Sequence, residues 1–141
     1  MVSLRKLETH KSFQAWTRGA GADSLRHIVG TQFRNCATVG GSIYGRFGFS
    51  DVLDAVSGSG RQVKLFKGGV LPLREFLDRE EDGDILLSVL VKKGQAFAAY
   101  ESMRNEAVDF PVLTAAVCLR DGQFTVSVGA RTRKGKSIFS S

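Results

Sequence analysis

The stretch that most limits what this chain can fold into runs from Thr31 to Asp51, TQFRNCATVGGSIYGRFGFSD. Ala37, Thr38 and Val39 lead to two adjacent glycines, Gly40 and Gly41, and then to the small hydroxyl of Ser42. Paired glycines permit positive φ and let the main chain approach a bulky group closely. Successive N–H groups at such a turn form a nest that suits phosphate or pyrophosphate. The spacing therefore predicts a turn that offers main-chain donors to an anion; an ordinary tight turn is the plainer reading of the same residues. Ser50 and Asp51 then open the apolar run Val52, Leu53, Ala55, Val56. Serine before such a run is a good N-cap, and aspartate in a first turn complements the positive helix end.

The string resembles the FAD-binding flavoprotein subunit of the molybdenum hydroxylases, the xanthine dehydrogenase and carbon monoxide dehydrogenase relatives. Arg34, Asn35, Ala37, Thr38, Val39, Gly40, Gly41, Ser42 and Ile43 match that family's R-N-x-A-[ST]-[VI]-G-G-[NS]-I motif in order. Tyr44 to Asp51 is similar to the bacterial xanthine dehydrogenase branch, and Asp84–Val89 and Tyr100–Ala116 also fit. The resemblance covers nearly the whole chain. It implies an α+β fold: an antiparallel or mixed sheet with flanking short helices, the second lobe of a PCMH-type FAD-binding fold, over residues 1–94. An incomplete C-terminal domain, a truncated three-stranded antiparallel sheet, follows at 95–131, with a basic tail at 132–141.

By the same resemblance FAD is the cofactor. Thr38, Val39, Gly40, Gly41 and Ser42 belong to the diphosphate turn, Asp51 bonds the cofactor, Leu86 contacts the flavin edge and Ile28 packs on the ring. Each has a plainer alternative: Leu86 and Ile28 as core residues, Asp51 as a helix-start carboxylate. Where relatives carry a lysine after the tyrosine matching Tyr100, this chain has Glu101 and Ser102, so a cation for the cofactor falls to another residue, with Arg46 the candidate. The implied partners are a molybdopterin-containing large subunit and an iron–sulfur small subunit, passing electrons through FAD to an acceptor such as NAD. Relatives begin with another lobe that holds the other side of the diphosphate. Met1 falls at an internal position of that pattern, so FAD binding by this chain alone is expected to be weak.

Composition excludes little but sharpens the rest. A chain of 141 residues holds one real core, and 43% hydrophobic content is ordinary for a globular protein. No apolar run has the length of a membrane span, and MVSLRKLETH lacks the apolar centre of a signal peptide. Cys36 and Cys118 are too few for a disulfide framework; both read as buried free thiols, which points to the cytoplasm. The net charge of +6 invites a nucleic-acid reading, but Arg131, Arg133, Lys134 and Lys136 cluster at one end, as a solvated tail would. Glu80, Glu81, Asp82 and Asp84 read as an exposed acidic loop, His10 and His27 as surface or structural histidines, and Trp16 and the phenylalanines as core.

Local patterns predict a helix from a Ser3 cap to Glu8, a joint at Gly19–Ala22, and a helix through Leu25 and Ile28 that stops at Gly30. Ser57–Gly60 reads as a turn, Gln62–Phe66 as a strand, Leu73–Leu77 as a helix, and Ile85–Val91 as a central strand. Ala96–Tyr100, Phe110–Leu119 and Gln123–Val128 read as strands, the last two joined at Asp121-Gly122. A three-stranded sheet with one apolar face needs a cover. Two further readings therefore stand beside the flavoprotein one: an inactive remnant that dimerises through that face, and a basic nucleic-acid module.

Overall fold

The computed structural model describes residues 1–56, 60–80, 82–92, 96–120, 122–130 and 136–140. Five short helices open the chain: α1 (Leu4–Glu8), α2 (Lys11–Thr17), α3 (Ala20–Arg26), α4 (Thr31–Cys36) and α5 (Val39–Tyr44), with α6 (Asp51–Val56) after them. Then come β1 (Arg61–Leu65), β2 (Gly69–Pro72), α7 (Leu73–Asp78), β3 (Leu86–Val91), β4 (Ala96–Met103), β5 (Leu113–Arg120), β6 (Gln123–Gly129) and β7 (Lys136–Ser140). The architecture is α+β, with two wholly antiparallel sheets ordered β2-β1-β3 and β4-β5-β6-β7.

The caps read from sequence are in place. Ser3 Oγ accepts from the Lys6 N–H at 3.2 Å, and Ser50 Oγ from the Leu53 N–H at 3.3 Å. Several expectations need correction. Gly19–Ala22 is not a joint: Gly19, at φ 94°, caps α3, which starts at Ala20. β3 is an edge strand, because the hairpin β1–β2 places β1 in the middle. Residues 136–140, inside the stretch read as a loose tail, pair with β6 as a fourth strand beside the three expected. Residues 57–59 of the predicted SGSG turn lie outside the described residues; Gly60 follows at φ 78°.

The first sheet is built on clean alternation: Arg61, Val63 and Leu65 point inward while Gln62 and Lys64 face water. Val63 and Leu65 join Leu71, Leu73 and Phe76 with Leu4, Leu25, Ile43, Val52 and Leu53 in one buried cluster. Asp84 is buried here, not part of an exposed acidic loop. Its carboxylate accepts from the N–H groups of Lys67, Gly68 (2.7 Å) and Ile85 (2.7 Å), closing the β1–β2 turn onto the start of β3. Those bonds, that of Lys67 first, outweigh burial and hold its pKa below the usual carboxylate range.

Candidate functional site

The doubled glycine does not turn through positive φ. Gly40 and Gly41 sit in the first turn of α5, and neither is among the left-handed glycines. Thr38 is the reason: its backbone is extended, and its Oγ1 accepts from the Gly41 N–H at 3.1 Å, an N-cap that makes helix out of a glycine pair. The N-terminal residues lock the entry, with the Val39 N–H on the Val2 carbonyl at 3.0 Å and the Leu4 N–H on the Ala37 carbonyl at 2.8 Å. The nest predicted from the sequence is thus absent. The Gly40 N–H has no partner among the described residues, and a Cβ built on Gly40 meets nothing within 4 Å.

Beside this helix start lies a cavity of about 530 Å³. Ile28, Thr38, Gly41, Ser42 and Asp51, five of the residues proposed from the sequence, line it. Val39, Gly40 and Leu86 do not; Val39 and Leu86 pack, half-buried, against the core cluster behind it. Most of the remaining wall is aromatic and aliphatic: Phe33, Phe47, Phe49 and Phe110 with Val29, Val52 and Val108. Phe47 stacks on Phe49 at 5.2 Å between centroids, and Phe110 meets Phe49 edge-on at 4.8 Å. Phe33, Phe47, Phe49 and Phe110 are all exposed, so these phenylalanines line an open surface instead of filling the core. The F-G-F spacing at Phe47–Phe49, followed by Ser50, is the sequence signal for two of them.

One polar cluster breaks this apolar wall. Asp51, at the start of α6, is 5% exposed, and its Oδ1 accepts from both the Tyr100 hydroxyl and an Arg104 Nη2–H. Burial raises the Asp51 pKa, although both partners pull it back; burial and the neighbouring carboxylate push Tyr100 above its ordinary range. Arg104 is therefore the cation at the cavity. Arg46 is not: it donates to the Arg79 carbonyl, and its guanidinium lies 4.3 Å from the centroid of Phe76. Arg104 escapes a reading by motif because it sits beyond the compared lysine position, and only the return of β4 toward α6 brings it to Asp51.

Other residues singled out earlier have structural work. Arg34 is buried on Glu8 at 2.9 Å and on the carbonyls of Ile28 and Val29, bracing the chain where Val29 adopts a φ of 48°. A β-branched residue there is strained, and it lies in the cavity wall. His10 Nδ1 caps α2 by accepting from the Phe13 N–H, while His27 Nδ1 lies 3.2 Å from the Ala107 carbonyl. Cys36 is exposed, contrary to expectation, and Cys118 is half-buried. Among the described residues no group of His, Cys, Asp and Glu could hold a metal ion, and no helix is long and apolar enough to cross a membrane.

The fold is one known from solved structures. The chain superposes on quinoline 2-oxidoreductase from Pseudomonas putida 86 with a TM-score of 0.81, over 97% of this chain and 52% of that one, at 17% identity. Carbon monoxide dehydrogenase from Hydrogenophaga pseudoflava, in a form lacking the Mo-pyranopterin moiety of the molybdenum cofactor, gives 0.82 over 97% and 53%, at 16% identity. Reconstituted CO dehydrogenase from Oligotropha carboxidovorans gives 0.80 over 96% and 52%, at 17% identity. The chain spans about half the length of these solved chains, and at such identities the likeness establishes the fold. No family model matches the chain, and no curated protein does.

Proposed function

We propose that this chain is the second FAD-binding lobe, with part of the following domain, of the flavoprotein subunit of a xanthine dehydrogenase-like molybdenum hydroxylase. The observation that carries the reading is the cavity, where an apolar-walled space meets a capped helix start and a buried carboxylate. The residues fit FAD in part. Ile28 and the phenylalanines suit a flavin ring, and Asp51 suits a polar edge. Thr38, Gly41 and Ser42 in the lining, with Gly40 next to them, suit a diphosphate through main chain left open by the missing glycine side chains, while the Thr38 and Ser42 hydroxyls serve the helix start itself. Val39 and Leu86 would support that wall from the core. Bound there, FAD supplies the electron-carrying chemistry between iron–sulfur clusters and an acceptor such as NAD.

The remaining assignments follow this reading. Partners are a molybdopterin-containing large subunit and an iron–sulfur small subunit, in the cytoplasm, and the 141 residues alone are inactive. The division at residues 94/95 is supported by the core cluster, to which no described residue beyond Val89 contributes. The exposed Phe97, Met103 and Phe124 favour a second reading, a remnant that self-associates through the second sheet. FAD titration of the purified chain, followed by flavin fluorescence, tests the proposal. Weak binding is expected, and Ser42→Asp, which adds a negative charge in the cavity wall, should abolish it while leaving circular dichroism unchanged. Equal binding by Ser42→Asp would overturn the site. Stoichiometric yellow protein would overturn the weak-binding expectation.

A further inference from the structure

The segment between β4 and β5 forms one wall of the cavity through Val108 and Phe110, yet its residues 105–110 are all exposed. The β4–β5 hairpin closes it, with the Val112 N–H on the Met103 carbonyl at 2.8 Å, and one turn bond lies within it, from the Asp109 N–H to the Glu106 carbonyl at 3.2 Å. Among the described residues, its side-chain tethers are the His27 ring on the Ala107 carbonyl at 3.2 Å, Phe110 against Phe49, and Arg104. Arg104 is the buried one, with its side chain 7% exposed. Its three nitrogens are each committed: Nε donates to Ser102 Oγ at 3.2 Å, Nη1 to the Asp109 carbonyl, and Nη2 to Asp51 Oδ1. The planar fork spreads its donors over three nitrogens and so reaches these three partners, whereas a lysine ammonium carries its three N–H on one atom.

We infer that Arg104 is a positioning residue that joins the Asp51 carboxylate to the 104–110 segment, so that the acid of the cavity and the wall across from it are held as one unit. The inference rests on the reading of the cavity as a cofactor site, but its core concerns this chain's own residues. Two consequences follow. Asp51 Oδ1 is held as an acceptor by the guanidinium that shares its burial; burial raises its pKa, and Tyr100 and Arg104 oppose that rise. The segment keeps Phe110 against Phe49 because its far end, at Asp109, is bonded to the same guanidinium that its near end carries.

The test compares wild type, Arg104→Met and Arg104→Lys by hydrogen exchange, by NMR titration of the Asp51 carboxyl carbon, and by FAD titration. In Arg104→Met, exchange at residues 105–110 should rise about tenfold or more while β1–β3 stays protected. The Asp51 titration midpoint should move up by about one pH unit or more, as expected when a neighbouring opposite charge is lost. A merely structural arginine would not move that midpoint. Arg104→Lys should restore the midpoint in part but not the exchange protection, and it carries the test should Arg104→Met not fold. Unchanged exchange and midpoint overturn the inference, even where FAD binds. Wild type that takes up no FAD, combined with the expected exchange and midpoint changes, upholds the tether independently of the cofactor reading.

Discussion

The two sheets of this molecule are stabilised in opposite ways. The first puts its aliphatic side chains inward, and Val63, Leu65 and Leu71 belong to the buried cluster. In the second, the register aligns Tyr100 with Ala116 and Ser127, and Cys118 with Thr125. Tyr100, Thr114, Arg120, Thr125 and Ser127, the buried residues, lie on this polar side, toward α3 and α6. The alternate rows, Phe97–Leu119–Phe124 and Ala99–Val117–Val126, are apolar and point the other way, with Phe97 and Phe124 exposed. One sheet is held by excluded water, the other by a latch of Asp51, Tyr100 and Arg104 together with the Ala130 N–H on the Gly48 carbonyl. Burial of apolar surface is non-directional and tolerant, whereas a buried polar latch fails when one partner is lost.

The contrast can be broken, and the largest effect should come from the first sheet. Phe76→Ala empties the centre of the cluster and is expected to cost about 4 kcal/mol, seen as a lower urea midpoint for the whole chain. Asp51→Asn strands a buried guanidinium and should cost about 3 kcal/mol. Its signature is different: exchange in β4–β6 should rise before that in β1–β3, and simultaneous loss of both would show that the sheets are not separately held.

Acidity should separate the two regions by sign. Asp84, whose pKa is lowered in the folded chain, contributes stability that is present above the ordinary value of about 3.9 and is lost as pH falls through the lowered one. Asp51, whose pKa is raised, contributes stability that is present below that ordinary value and is lost as pH rises through the raised one. Thermal melts from acid toward neutrality should therefore lose an acid-labile component in Asp84→Asn and a component of opposite slope in Asp51→Asn. Matching slopes in both variants would contradict these assignments. The smallest change belongs to the outer face: Phe124→Ser should move stability by no more than about 0.5 kcal/mol while reducing self-association in light scattering. Unaltered association would remove that face from any account of partners.

Much of this was legible in the sequence where physics is local. Caps at Ser3 and Ser50 and the alternation through Val63 and Leu65 depend on neighbours a few residues away, whereas the α+β class came with the family resemblance. The candidate site was legible in Ile28, Thr38, Gly41, Ser42 and Asp51, which the fold does gather around one cavity. It was illegible where a residue takes its meaning from distant chain. Gly40 and Gly41 invite a left-handed turn on their own, and a threonine cap plus two bonds with the N-terminal residues made them helical instead. Asp84 looked like one charge in an acidic run until a hairpin tip 16 or 17 residues earlier aimed its amides at it. Arg104 met Asp51 across 53 positions, and no local pattern encodes that pairing.

The pairing of Ser3 with Thr38 has a practical corollary. Because the first few residues fix the start of α5 beside the cavity, anything fused directly to Met1 is expected to bear on that helix start. Affinity handles and fluorescent labels for binding work therefore belong at the other terminus, and modest trimming before Leu4 should register first as altered ligand behaviour, ahead of any change in melting.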